Sequence, residues 1–406
     1  RGPDRRGGRP RAAVVVQAGA GDAAQPPPLP NPNPNLNPKT YPPPPPLGHT
    51  LAVSGDGRFF SAPAIDVIVR MAAAHGVARV WVGVGGLMAT PAMSAVLRTR
   101  DRGAAGGAFL LTASHNPGGP TEDFGVKYNC GNGGPAPEKL TDAVFERTKT
   151  LSSYSIAAPG SIPLDLSKPS SRDFYVEKED GSHAGFRVQV REEERGKARG
   201  VACGARKKET HAPHPLLPLP PRLQVIDPVE DYLKLLKSVY NFPALAALIA
   251  RPDFSMVFDG MHGVAGPYAA SILRDELGAP ASALLNCEPK DDFGGGHPDP
   301  NLTYAHDLVA RMGLGGGKEG GSDDGAAVPD FGAACDGDAD RNMVLGSRFF
   351  VTPSDSVAII AAHAKAAIPY FKHGLKGVAR SMPTSAALDR VAAALDVECY
   401  EVPTGW

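Results

Sequence analysis

"AIDVIVRMAAAHGVARVWVGVGG" runs from Ala64 to Gly86. Ile65, Ile68, Val69 and Ala72 recur at i, i+3, i+4 and i+7, the spacing of one helix face. Gly76 is placed to close that helix as its C′ residue. "RVWVGVG" then predicts a strand with Val80, Val82 and Val84 on one face. Thr90 caps a second helix with Pro91 at its first position, and "GAFLLTAS" is the next strand. A strand–helix–strand unit of this kind favours a sheet with parallel pairs and right-handed crossovers. Open sheets of that type bind ligands beyond the C-terminal ends of their strands. Ser114, flanked by His115 and Asn116, stands at such an end.

Outward from this unit the pattern repeats. "DPVEDYLKLLKSVY" places Val229, Tyr232, Leu233 and Leu236 on one helix face. "FSMVFDG" is a buried strand ending at Asp259-Gly260, and "GPYAASILRDELG" is a helix closed by Gly278. "FGAAC" and "NMVLG" are short strands around an acidic loop. "TPSDSVAIIAAHAKAAI" opens a third unit, capped by Ser354 or Asp355. Three stretches lack apolar periodicity: Pro-rich 24–47, charged and Pro-rich 187–222, and Gly-rich 313–329. Solvated linker is the plain reading of each.

The totals narrow the partners. With 42 basic and 43 acidic residues in 406, the net charge of −1 leaves no electrostatic footprint for nucleic acid or a membrane surface. No apolar run is long enough to span a bilayer. The five cysteines, Cys130, Cys203, Cys287, Cys335 and Cys399, are dispersed and odd in number, which suits a reducing compartment better than a disulfide framework or a zinc site. Small molecules are therefore the expected ligands. The Arg-rich start also fits a transit peptide, though it lacks Ser.

The loop "CDGDADRNM" carries the sharpest chemistry. Asp336, Asp338 and Asp340 alternate, so in an extended loop their carboxylates converge and repel unless a cation neutralises them. Hard oxygen ligands suit Mg²⁺. A calcium EF-hand loop is excluded, because Arg341 stands where Gly is needed and Ser347 where Glu is needed. The alternative is a solvated acidic turn. Ser114 by itself reads equally as a turn or cap residue, and "TASHN" lacks the nucleophile elbow of a hydrolase. A serine paired with a Mg²⁺ loop suits phosphoryl transfer.

"TASHNPGGPTEDFGVKYNCGNGGPAPE", "DGMHGVAGPY", "DDFGGGHPDPNLTYAHDLV", "DGDADRNM", "PSDSVAIIAA", "ARSMPTSAALDRVA" and "PTGW" together resemble, in order, the phosphoglucomutase branch of the phosphohexomutase family. The resemblance implies tandem mixed α/β domains of the phosphohexomutase type, the third incomplete and the fourth absent. It divides the chain into 1–47, low-complexity and Pro-rich; 48–186, a first domain with the serine loop; 187–222, a non-native insert; 223–346, a second domain with the metal loop; and 347–406, the start of a third. It implies a phosphoserine at Ser114, Mg²⁺ on Asp336, Asp338, Asp340 and the serine phosphate, and sugar-phosphate contacts from Ser114, Asp340, Arg341, Thr404 and Gly405. His115 is implied to assist proton movement. The implied reaction interconverts glucose 1-phosphate and glucose 6-phosphate through glucose 1,6-bisphosphate, in a cytoplasmic monomer, with a plastid as the other compartment.

Departures accompany the match. Ala339 stands where the glucose branch usually has Gly. A Pro-rich stretch replaces the family's N-terminal arginine segment, and the lysine expected after "PTGW" lies beyond Trp406. The resemblance therefore implies little turnover by the chain as it stands. A mutase for mannose or pentose phosphates, or a non-catalytic phosphosugar binder, remain as rivals. "FRVQ" ending at Gln189 would read directly into "VIDPVEDY" from Val225, so residues 190–224 are expected to be foreign to the fold.

Overall fold

The computed structural model describes residues 16–18, 49–173, 222–314 and 327–404, the first of these as backbone only. Three sheets follow one another. Strand β1 (Val16–Ala18) belongs to the last of them. The first unit runs β2 (Thr50–Gly55), α1 (Ser61–Ala74), β3 (Arg79–Gly83), α2 (Thr90–Thr99), β4 (Ala105–Leu111), β5 (Val126–Cys130), α3 (Glu138–Thr148), β6 (Ser170–Asp173) and β7 (Arg222–Ile226). The second runs α4 (Glu230–Val239), α5 (Phe242–Ile249), β8 (Met256–Asp259), α6 (Ala265–Ala269), β9 (Leu284–Leu285), α7 (His306–Arg311), β10 (Phe331–Cys335), β11 (Asn342–Gly346) and β12 (Phe349–Val351). The third has α8 (Pro353–Ala367), β13 (Leu375–Ser381), α9 (Ala387–Leu395) and β14 (Glu398–Val402).

The first sheet has the order β5-β4-β2-β3-β7-β6, with parallel pairs inside and antiparallel strands at both edges. Parallel strands are covered on both faces. Val80 and Val82 pack with Val53, Ile65, Val69 and Leu111 on one side, while Trp81 packs with Met93, Val96, Leu97 and Leu110 on the other. Val84 lies past the strand, in a turn through Gly85 and Gly86. The second sheet, β12-β11-β10-β8-β9, is parallel through β10, β8 and β9 and antiparallel from β10 through β11 to the edge strand β12. In the third, β13 pairs in parallel with β14 and antiparallel with β1. Among the described residues no helix is long and apolar enough to cross a membrane.

The second unit has a core of its own around Val257, Leu308 and Met343, but it also shares one with the first. Val264 and Tyr268, at the start of the second unit's α6 segment, complete the cluster around Trp81 and Met93. The Tyr268 hydroxyl donates to the Pro228 carbonyl at 3.0 Å and accepts from the Ala89 amide at 3.2 Å. Burial pushes that phenol's pKa up, so it stays a neutral donor.

Gly76 closes α1 as its spacing predicts, with φ 79. Two expected caps differ. Ala89, in extended conformation, is the N-cap of α2, and Thr90 is its first helical residue. Thr352, not Ser354 or Asp355, is the N-cap of α8, and its hydroxyl donates to Asp355 at 2.7 Å. The Ser354 hydroxyl instead accepts the Ser385 amide, at 2.9 Å.

A third difference concerns β7. The domain reading assigns Arg222 to the insert and Leu223–Ile226 to the second unit, yet β7 is an inner strand of the first sheet. Leu223 is buried, and Gln224 accepts from the Trp81 indole at 2.7 Å. Residues 187–190 read RVQV where residues 222–225 read RLQV; the former lie outside the described residues. Joining Gln189 to Val225 would therefore restore the same alternation, with Val188 replacing Leu223 and Gln189 replacing Gln224. Losing one buried methylene costs about 1 kcal/mol. Deleting residues 190–224 is expected to shift the thermal midpoint by less than about 5 °C. Failure of the deleted chain to fold would show that the segment belongs to the fold.

Candidate active site at the junction of two sheets

Ser114 lies three residues beyond β4, 5% exposed, in the left-handed region at φ 61. The β10–β11 hairpin brings the Asp loop against it. The Ser114 hydroxyl is 3.2 Å from Asp336 Oδ2 and 3.4 Å from Asp338 Oδ1. Asp336 and Asp338 are buried and Asp340 is exposed, and carboxylate oxygens of the three lie within 4.8 Å of one another. The sequence separation of Ser114 from this loop is closed entirely by packing of the two units.

The loop shapes itself around Asp336. Its Oδ1 accepts the amides of Asp340 and Arg341, each at 3.0 Å, and its Oδ2 accepts Arg341 Nε at 3.0 Å. Arg341 Nη2 also donates to the Ser114 hydroxyl and, at 2.6 Å, to His115 Nδ1. A guanidinium only donates, so Nδ1 is the acceptor in that contact. One guanidinium thus joins serine, histidine and carboxylate.

Burial, together with the Asp338 and Asp340 carboxylates, pushes the Asp336 carboxyl up to about 7, against the pull of Arg341. Burial acts on Asp338 as well, but the Lys127 ammonium and hydrogen bonds from Lys127 and Thr90 outweigh it and hold that carboxyl below its usual range. The contacts are 3.0 Å from Lys127 Nζ and 3.0 Å from the Thr90 hydroxyl, both to Asp338 Oδ2. The Thr90 amide, in the first turn of α2, donates to the Asp338 carbonyl at 2.9 Å. The helix that Thr90 was expected to cap is thereby aimed at the Asp loop.

Lys127 and Thr90 are missed by the sequence reading. A signal existed: three clustered carboxylates with only Arg341 nearby call for another cation, and Lys127 lies on the strand that returns from the serine loop, opposite Leu110. Of the other expected residues, Thr404 is exposed just past β14 of the third sheet, and Gly405 lies outside the described residues.

Ala339 has φ 60, so the position that Gly would suit is left-handed. An L-residue there costs about 1–2 kcal/mol, and glycine's extra unfolded-state entropy returns part of that. Ala339→Gly is expected to raise stability by about 1 kcal/mol. A thermal melt that shows no gain would mean the alanine's packing against the Trp81 cluster compensates for the strain.

The donor set fits a hard divalent cation: oxygen-only, anionic and clustered, with three carboxylates against the two cations Arg341 and Lys127.

Family models described as phosphoglucomutase/phosphomannomutase alpha/beta/alpha domains I, II and III match residues 45–155, 230–348 and 353–406. A probable cytoplasmic phosphoglucomutase 1 of Arabidopsis thaliana is 55% identical over 363 residues, which is 88% of this chain and 54% of that protein. A cytoplasmic phosphoglucomutase of Bromus inermis is 54% identical over 363 residues, with the same shares of 88% and 54%. The open form of parafusin, a phosphoglucomutase from Paramecium, superposes with a TM-score of 0.72 at 43% identity, covering 88% of this chain and 56% of that one. The chain spans about half the length of the curated relatives it matches.

Proposed function

Because the chain belongs to the phosphoglucomutase/phosphomannomutase family, we propose that it carries the phosphoryl-transfer centre of a phosphoglucomutase. The reaction is the interconversion of glucose 1-phosphate and glucose 6-phosphate, with glucose 1,6-bisphosphate as intermediate and activator. We read the protein as a cytoplasmic monomer, the compartment following the names of its relatives. The observation that carries this reading is the buried Ser114 hydroxyl within 3.2 and 3.4 Å of two carboxylates of a three-carboxylate cluster.

Each residue has a task in this account. Ser114 accepts and returns the phosphoryl group. Arg341, already at the Ser114 oxygen, neutralises charge on the phosphate that forms there. His115, with Nδ1 occupied by Arg341, offers Nε2 to proton traffic near the transferred group. Lys127 and Thr90 keep Asp338 ionised and fixed. Asp336, Asp338 and Asp340 would hold Mg²⁺, which supplies positive charge at the serine phosphate when bound. Thr404 and Gly405 begin the loop that reads the sugar. The test is incubation with ³²P-labelled glucose 1,6-bisphosphate followed by phosphopeptide mapping. Label is expected on the peptide that contains Ser114; label elsewhere, or none, overturns the reading.

The Asp336 carboxyl also gives this reading a pH signature. Its folded value of about 7 lies above the ordinary 3.8, so the folded protein retains a proton that the unfolded chain has lost. Stability from this group therefore falls as pH rises from about 4 to about 7. A metal needs the ionised form and displaces that proton. Mg²⁺ binding is expected to release about one proton at pH 6 and close to none at pH 8.5. Calorimetry in two buffers of different ionisation enthalpy measures this; equal proton release at both pH values would contradict it.

A further inference from the structure

The segment from Thr112 to Gly125 carries Ser114 but has no helix or strand of its own. Arg58, 1% exposed, spreads its guanidinium beneath it. Nη2 donates to the Ser114 carbonyl at 3.1 Å, and Nη1 to the carbonyls of Pro117 and Asp123 at 3.4 and 2.7 Å. Nε and Nη2 are anchored on the Asp56 carboxylate at 3.0 and 2.9 Å. Asp56 accepts the Thr112 hydroxyl at 2.6 Å, and that hydroxyl accepts the Ser114 amide at 2.8 Å. One buried ion pair therefore holds both the amide and the carbonyl of Ser114. A non-glycine residue keeps a left-handed conformation only where its surroundings impose it.

The same guanidinium faces the second unit. The Phe293 ring packs on it with the centroid 5.2 Å away. Phe293 is 3% exposed and is itself left-handed, at φ 52. Space around it is filled. A Cβ on Gly118 would lie 2.6 Å from the Asp291 carbonyl oxygen and 3.0 Å from the Phe293 ring. A Cβ on Gly337, inside the Asp loop, would lie 2.6 Å from the Ser114 carbonyl oxygen and 3.2 Å from that ring. The serine loop, the Asp loop and the Phe293 turn close on Arg58 without slack.

We propose that Arg58 is a positioning residue. It fixes where the Ser114 hydroxyl stands relative to the Asp loop, and Phe293 carries that placement across the domain boundary. This rests on the phosphoryl-transfer reading. Lysine at position 58 keeps the charge but not the planar fork that reaches several carbonyls at once. A small misplacement of a reacting atom costs about 10²-fold in rate.

The experiment compares Arg58→Lys, Phe293→Leu and the exposed control Arg251→Met with the parent chain. It measures Ser114 labelling by glucose 1,6-bisphosphate, Mg²⁺ affinity and the thermal midpoint. Arg58→Lys and Phe293→Leu are expected to label about 10²-fold more slowly, while Mg²⁺ affinity, set by carboxylates that Arg58 does not touch, stays within about threefold. Parent-like labelling in Arg58→Lys overturns the proposal. So does a fall in labelling matched by an equal fall in Mg²⁺ affinity, which would be general loosening. A parent chain that takes no label refutes the phosphoryl-transfer reading alone. Positioning is then read in a Ser114→Cys background from the rate of alkylation by iodoacetamide. Adding Arg58→Lys is expected to change that rate at least about tenfold, since thiol reactivity follows its microenvironment; an unchanged rate overturns the proposal.

Discussion

Ser114→Ala is expected to abolish phosphate uptake from glucose 1,6-bisphosphate while leaving a folded protein that still binds Mg²⁺. The substitution removes the acceptor oxygen, so no residual route through this residue exists. It retains the left-handed backbone at φ 61, because the Arg58 and Thr112 contacts are made to the main chain of residue 114. The three carboxylates also remain in place. Mg²⁺ affinity of the unphosphorylated variant should therefore change by less than about tenfold, or 1.4 kcal/mol. Label counting and isothermal titration check the two halves separately. Phosphate uptake at the parent rate in Ser114→Ala would place the acceptor elsewhere and end the proposed mechanism.

Lys127→Met should show how a buried carboxylate behaves when its cation is removed. Asp338 is 1% exposed, and Lys127 sits 3.0 Å from it with a side chain 36% exposed. Breaking a fully buried pair costs about 3–5 kcal/mol; solvent screening at the lysine reduces this to about 1–3 kcal/mol. The pH dependence has a definite sign. Lys127 lowers the Asp338 carboxyl below 3.8, so its contribution is full above that value and is lost as pH falls through the lower folded value. The loss of thermal midpoint is accordingly largest at neutral pH and vanishes in acid. Saturating Mg²⁺ should restore part of it, since a ligand that binds only the folded protein stabilises it by mass action. A variant that melts like the parent at pH 7.5 without metal would show that Asp338 draws its stabilisation from Thr90 and the backbone.

Contiguous motifs made much of this molecule legible. The three aspartates stand out by their own alternation, Ser114 only through the resemblance of the segment around it, and apolar periodicity locates α1, β3 and α4. Side chains whose roles depend on distant partners did not announce themselves. Lys127 and Thr90 reach Asp338 across 211 and 248 residues of sequence. Thr90 looked like a cap because local pattern knows nothing of the acceptor that packing supplies. The same holds for Arg58 in "SGDGR", which no local pattern singles out and which is among the most buried side chains described. The β7 assignment differed for another reason: the tetrapeptides at 187–190 and 222–225 are nearly identical, so sequence alone does not say which belongs to the strand.

Tyr268 and Val264 bury themselves in the first unit's core, and the residues proposed for chemistry come from both sides of that seam. Neither unit owns the centre. Its integrity is therefore a readout of docking, not of secondary structure. On gentle heating or in low urea, phosphate uptake at Ser114 should disappear while circular dichroism still reports intact helices and the Asp loop still binds Mg²⁺, because parting the seam by an ångström or two separates hydroxyl from carboxylate without melting either sheet. A substitution far from Ser114 that loosens the seam would then look, in an activity screen, like a lesion of the chemistry itself.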